Sequence, residues 1–230
     1  MSSTSANAPY GTGPAGENEA MKPLPARAVI GYGFGDAANN VAFTTTSMLL
    51  LVYYTDAVGV SAAAIGTMMG VVRILDAFFD VFAGRVVDSA KVTRWGKFRP
   101  FLLFGSIPLL ILTWLNFNVP RISESGIVVY AYFAYAALGL AYSLVNIPFG
   151  SLAGAMTQRG KDRAKLASAR VVGATLIGSA LTAFVVPLMQ PGAGLQHVFT
   201  VVMTILIVIG FVFYLICLFT TPSSARRRPS

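Results

Sequence analysis

Long runs without a single charged residue constrain this chain more than any other feature. Residues 101–117 and 198–221 carry none. About 20 apolar residues wound as a helix cover the ~30 Å hydrocarbon layer of a bilayer, whereas a water-facing surface needs charge. Apolar segments of that kind occupy 28–55, 60–88, 99–120, 126–156, 165–190 and 196–221. With 55% hydrophobic and 11% charged residues, most of the chain must have lipid as its solvent. The expected fold is therefore an all-α membrane protein of six transmembrane helices within 27–221. Several segments exceed the minimum length, which implies tilt or helical extension beyond the bilayer.

The flanks read differently. Residues 1–26 are rich in Ser, Gly, Pro, Ala and Asn with no apolar run, which predicts a disordered tail and no signal peptide. Residues 222–230 form a short basic tail. The net charge of +8 would suggest nucleic acid if it covered one folded face, but it lies in clusters between apolar segments. Lys22 and Arg27 precede the first; Lys91, Arg94, Lys97 and Arg99 separate the second from the third; Arg159, Lys161, Arg163 and Lys165 separate the fourth from the fifth; Arg226, Arg227 and Arg228 follow the sixth. The alternate loops hold only Arg121. This asymmetry predicts a multi-pass protein with both termini cytoplasmic, a partner of lipid rather than of nucleic acid. Tyr53, Tyr54, Trp114 and Tyr130 fall near predicted helix ends, where aromatic anchors are expected.

Cys217 and His197 are the sole Cys and His, so the sequence predicts no disulfide framework, no metal site and no cofactor. It holds no nucleophile–base pair, and GYGFG opens a helix without following a predicted strand, so an enzyme is not expected.

The chemistry sits at membrane depth. Arg73, Asp76 and Asp80 recur at intervals of three and four, which places all three on one face of the second helix. Ionisable groups in hydrocarbon cost several kcal/mol unless they face a partner charge, the bundle interior or a water-filled cavity. A purely structural ion cluster and an ion-binding face both satisfy that requirement. Asp36, Asn39 and Asn40 on the first helix, Ser143 and Asn146 on the fourth and Arg170 on the fifth extend the polar set to four helices. Three acids against two arginines leave one negative charge, which takes up a proton or binds a monovalent cation. Pro148 within Asn146-Ile-Pro-Phe-Gly150 removes a backbone donor and is expected to interrupt the fourth helix.

Gly84 and Asp88 lead into the basic loop that carries Arg94, Lys97 and Arg99. The GxxxD spacing ahead of a short basic loop matches the cytoplasmic gate motif of the major facilitator superfamily. The runs GYGFGDAANN, YYTDAVGVSAAAIGTM, VRILDAFFDVFAGRVVDS, RWGKFRPFLLFG and AYSLVNIPFGSLAGAMTQ, in this order, resemble the glycoside-pentoside-hexuronide:cation symporter family over residues 28 to about 220. That resemblance implies the N-terminal half of a major-facilitator fold, a three-plus-three inverted repeat in a bacterial inner membrane. It implies symport by alternating access, with Asp76, Asp80 and Ser143 at the coupling cation. By the same resemblance Asn39, Asn40, Asn146 and Arg170 would line the glycoside site, and Asp36 and Arg73, charged at the same depth, are expected to join them there.

Departures from the melibiose permease pattern sharpen the expectation. Asn40 and Asn146 stand where the permease has sugar-binding carboxylates, and Gly150 where it has a tryptophan. Amides remove repulsion toward an anionic sugar, so a glucuronide paired with Arg170 is expected. Phe79 replaces an amide of the sodium site, which favours H+ over Na+ as the coupling ion. The chain ends after six helices, an outcome compatible with assembly with a second half-transporter chain, with homodimerisation, or with a truncated, non-transporting product.

Overall fold

The computed structural model describes residues 23–93, 96–189 and 194–221. Within them the chain forms six long helices: α1 (Ala26–Val52), α2 (Ala62–Ser89), α3 (Arg99–Asn116), α4 (Glu124–Met156), α5 (Gly160–Ala180) and α6 (Leu195–Thr220). The expected tail 1–26 lies outside the described residues up to Lys22, as do Arg94 and the basic tail 222–230; residues 23–25 lead directly into α1.

Local chemistry sets several boundaries. The Ser61 hydroxyl accepts from the Ala64 N–H at 3.3 Å and Ser123 does the same for Gly126, so a hydroxyl caps the start of α2 and of α4. A π-helical turn, Tyr53–Val58, prolongs α1 to a 33-residue span, and Gly59 ends it at φ 88°. Leu181–Val185 prolongs α5 in the same way.

Two boundaries differ from the sequence expectation by four residues or more. α3 stops at Asn116 because Asn116 and Asn118 turn their amides onto the carbonyls of Leu112 and Trp114, ahead of Pro120. α5 begins at Gly160, five residues early, so Lys161, Arg163 and Lys165 are helical. Asp162 in its first turn anchors that start: it is 1% exposed, accepts from the Leu24 N–H at 3.2 Å and pairs with Arg159 and Lys165. The interruption expected at Pro148 does not occur. α4 runs unbroken through it, since one missing N–H removes a single intrahelical bond that packing tolerates.

All six helices are long and apolar enough to cross a membrane. α1 packs on α5 and α6, α4 packs on α2 and α3, and α3 meets α6. Exchanging α1 with α4, α2 with α5 and α3 with α6 returns these same principal contacts, as a three-plus-three repeat requires. The core lies along α1 and α4. At one end Tyr53 meets Phe117 and Phe199, with ring centroids 5.5 and 5.0 Å away. Tyr53 and Tyr54 are fully buried and therefore serve the core instead of the interface. At the other end Tyr32 stacks on Phe149 at 4.4 Å. α2 and α5 bury little and turn Ile74, Phe78 and Val81, and Val171, Val172 and Leu176, outward.

Candidate cation and glycoside site

The polar residues singled out in the sequence divide into two groups. The first surrounds a cavity of about 250 Å³ between α1, α2 and α4. Arg73, Asp76 and Asp80 reach it from α2, and Ser143 and Asn146 from α4. The Ser143 hydroxyl donates to Asp80 Oδ1 at 2.6 Å, a charge-assisted bond across the two helices. Asp76 Oδ1 is buried against Gly139 on α4 and has no hydrogen-bond partner among the described residues. Arg73 lies 3.7 Å from Asp76 Oδ2, beyond hydrogen-bonding distance. Its guanidinium sits over the Phe43 ring at 5.1 Å, with a longer contact to the Ser47 hydroxyl at 3.4 Å.

The second group forms a closed network between α1 and α5. Asp36, 3% exposed, accepts from Arg170 Nε at 2.7 Å and from Asn40 Nδ2 at 2.9 Å. Thr44 donates to Asn40 Oδ1 at 2.8 Å. The spacing of four along α1 stacks Asp36, Asn40 and Thr44 on one face, and Arg170 also lies over the Phe149 ring. Neither Asp36 nor Arg170 lines the α1–α2–α4 cavity. Asn39 joins neither group: it is 1% exposed and accepts from the Tyr214 hydroxyl of α6 at 2.6 Å.

The loop residues are placed as follows. Asp88 is exposed and its carbonyl accepts from Lys97 Nζ at 3.1 Å. The space beside Gly84 is open. The Arg99 guanidinium donates to the carbonyls of Leu218 and Thr221, closing the C-terminal end of α6. Arg94 lies outside the described residues.

Sequence reasoning missed the aromatic wall. Phe43 and Tyr142 stack at 5.1 Å, and both line the cavity together with Tyr135. An apolar ring in a membrane helix carries no signal that separates a cavity wall from a lipid face. The one available hint was register, since Phe43 and Ser47 share a face and Tyr142 precedes Ser143.

Such an arrangement can do two things. Two carboxylates and a hydroxyl supply oxygen ligands or a proton site. An aromatic wall beside amide and guanidinium groups suits a pyranose, which presents apolar faces and hydroxyl edges.

Comparison with known proteins identifies the family of the chain. Residues 31–230 match a family described as MFS/sugar transport protein. The chain is 50% identical over 207 residues to the glucuronide carrier protein homolog of Escherichia coli (strain K12), covering 87% of this chain and 44% of that relative. It is 37% identical over 203 residues to the inner membrane symporter YicJ of the same organism, again 87% of this chain and 44% of the relative. It is 36% identical over 189 residues to the isoprimeverose transporter of Lactiplantibacillus pentosus, 80% of this chain and 39% of the relative. The chain thus spans less than half the length of these relatives.

Proposed function

The chain belongs to the MFS/sugar transport protein family, and from that premise we propose that it forms the N-terminal half of a glycoside transport pathway that couples a glucuronide to a proton by alternating access. Asp76, Asp80 and Ser143 hold the coupling ion, and the glycoside lies against Phe43 and Tyr142 within reach of Arg73 and Asn146. The observation that carries this reading is the 2.6 Å bond from Ser143 to Asp80. It ties the carboxylate helix to α4 at the rim of a cavity large enough for a small glycoside.

Charge counting supports coupling. Asp36 is buried and matched by Arg170, and neither lines the cavity, so the cavity holds Asp76 and Asp80 against Arg73, a formal −1. An anionic glycoside alone would deepen that charge in a low-dielectric site, whereas an anion with one monovalent cation leaves it unchanged. Preference for H+ over Na+ rests on oxygen supply: Phe79 brings none, and Na+ seeks several oxygens. Gly84, Asp88, Arg94, Lys97 and Arg99 serve the cytoplasmic gate, with both termini on that side of a bacterial inner membrane. The other half of the pathway comes from a further six-helix unit, which in vesicles holding this chain alone is a second copy of it.

The test is uptake of labelled glucuronide into vesicles containing this chain, with and without an imposed inward proton gradient. Gradient-stimulated uptake is expected. Uptake indifferent to the gradient would overturn the proton coupling. Correct insertion with no uptake would overturn transport by paired copies of this chain.

A further inference from the structure

The two intramembrane arginines differ in what they have left to give. Arg170 places Nε 2.7 Å from Asp36 Oδ1, a full charge-assisted bond to a carboxylate that is itself buried, so its charge is matched. Arg73 is 48% exposed and stands 3.7 Å from Asp76, about 1 Å beyond the 2.7–2.9 Å of a bonded guanidinium–carboxylate pair. It lines the cavity, and its guanidinium carbon lies 5.1 Å over the centroid of the Phe43 ring. Asp76, its loose partner, keeps one buried oxygen with no hydrogen-bond partner among the described residues. The other titratable groups on that cavity wall are Asp80, held by Ser143, and the hydroxyls of Tyr135 and Tyr142.

We infer that Arg73 is the specificity-determining residue for an anionic glycoside, shared between Asp76 when the site is empty and the substrate carboxylate when it is loaded. The inference rests on the glycoside-transport reading above. A cation arriving at Asp76 and Asp80 satisfies the carboxylates and releases Arg73. The freed guanidinium then offers two parallel N–H groups to a uronate. The uronate in turn keeps Arg73 off Asp76 and so favours the bound cation, which makes the two affinities mutually reinforcing. A neutral sugar with a hydroxymethyl group in place of the carboxylate cannot compete with Asp76 for the fork, so it gains from neither step.

The experiment is equilibrium binding of methyl glucuronide and of methyl glucoside to the full chain in lipid nanodiscs, for wild type, Arg73→Gln, Arg73→Lys, Asp76→Asn and the double variant Arg73→Gln/Asp76→Asn. Wild type is expected to prefer the glucuronide. Arg73→Gln should cut that preference by about 10- to 100-fold, the worth of a hydrogen bond to a charged group, while glucoside binding persists and shows the site intact. Arg73→Lys should restore part of it. Asp76→Asn should raise glucuronide affinity several-fold in sodium-free buffer at alkaline pH, and the gain should vanish in the double variant Arg73→Gln/Asp76→Asn. A gain of the same size in the double variant would reflect only the removed negative charge and would overturn the exchange of Arg73 between Asp76 and the substrate. A glucuronide preference unchanged in Arg73→Gln overturns the inference and leaves the transport reading standing. Failure of wild type to bind either glycoside overturns both.

Discussion

The α1–α5 and α2–α4 interfaces are equivalent under the internal repeat, yet they solve the problem of intramembrane charge in opposite ways. On α5 the residue three after Arg170 is Gly173, and a Cβ there would lie 2.6 Å from the backbone oxygen of Gly33. The helices touch backbone to backbone, Asp36 is sealed in, and the pair Asp36–Arg170 is closed. On α2 the residue three after Arg73 is Asp76, whose carboxylate fills the notch left by Gly139 on α4. A side chain, not backbone, sets that spacing, and the charges remain open to a cavity. The lesson is that one interface holds the half together while the other is left adjustable.

Breaking the closed pair should have the largest effect on stability. Arg170→Gln strands Asp36 in the bundle, and a loss of about 3 kcal/mol is expected in thermal unfolding of the detergent-solubilised protein. The double variant with Asp36→Asn should recover most of it, because the uncompensated charge is gone. Little recovery would mean that Arg170 matters through packing on Phe149 instead.

Next comes the glycine pair. Gly173→Ala forces α1 and α5 apart and should cost about 1–3 kcal/mol. Gly139→Ala meets only the end of a side chain that can swing aside, so its stability loss should stay below about 1 kcal/mol. Its signature should instead be altered cation dependence of glucuronide uptake. Equal thermal shifts for the two variants would erase the proposed difference between the interfaces.

Tyr214→Phe removes the hydroxyl from Asn39, whose amide nitrogen already lacks a partner among the described residues, and should cost about 1–2 kcal/mol. Because Asn39 faces α6, this variant should leave glycoside selectivity unchanged. A shift in selectivity would place Asn39 in the site after all.

Much of this was legible in the sequence because hydrocarbon leaves little freedom. Apolar length located six helices, and the spacing of Arg73, Asp76 and Asp80 put them on one face. What spacing along one helix could not reveal was partnership between helices. Arg170 and Asp36 are 134 residues apart, and nothing local shows that one arginine is matched while the other is loose. Arg99 illustrates the same limit: it sits in the basic loop motif, yet its guanidinium closes α6. Pro148 misled in the other direction, since a helix packed on both sides tolerates one missing donor. The charged residues 161–165 read as loop in the sequence, whereas Asp162 in the first turn of α5 pairs with Arg159 and Lys165 and makes them helical.

The central claim, that the open α2–α4 site carries the coupling ion, is tested most directly by proton movement itself. Glucuronide is added to de-energised vesicles containing the full chain, and the external pH is followed for wild type and Asp80→Asn. The account predicts alkalinisation with wild type and none with Asp80→Asn, whose amide still accepts from Ser143 but cannot exchange a proton. Equal alkalinisation by the two would contradict it.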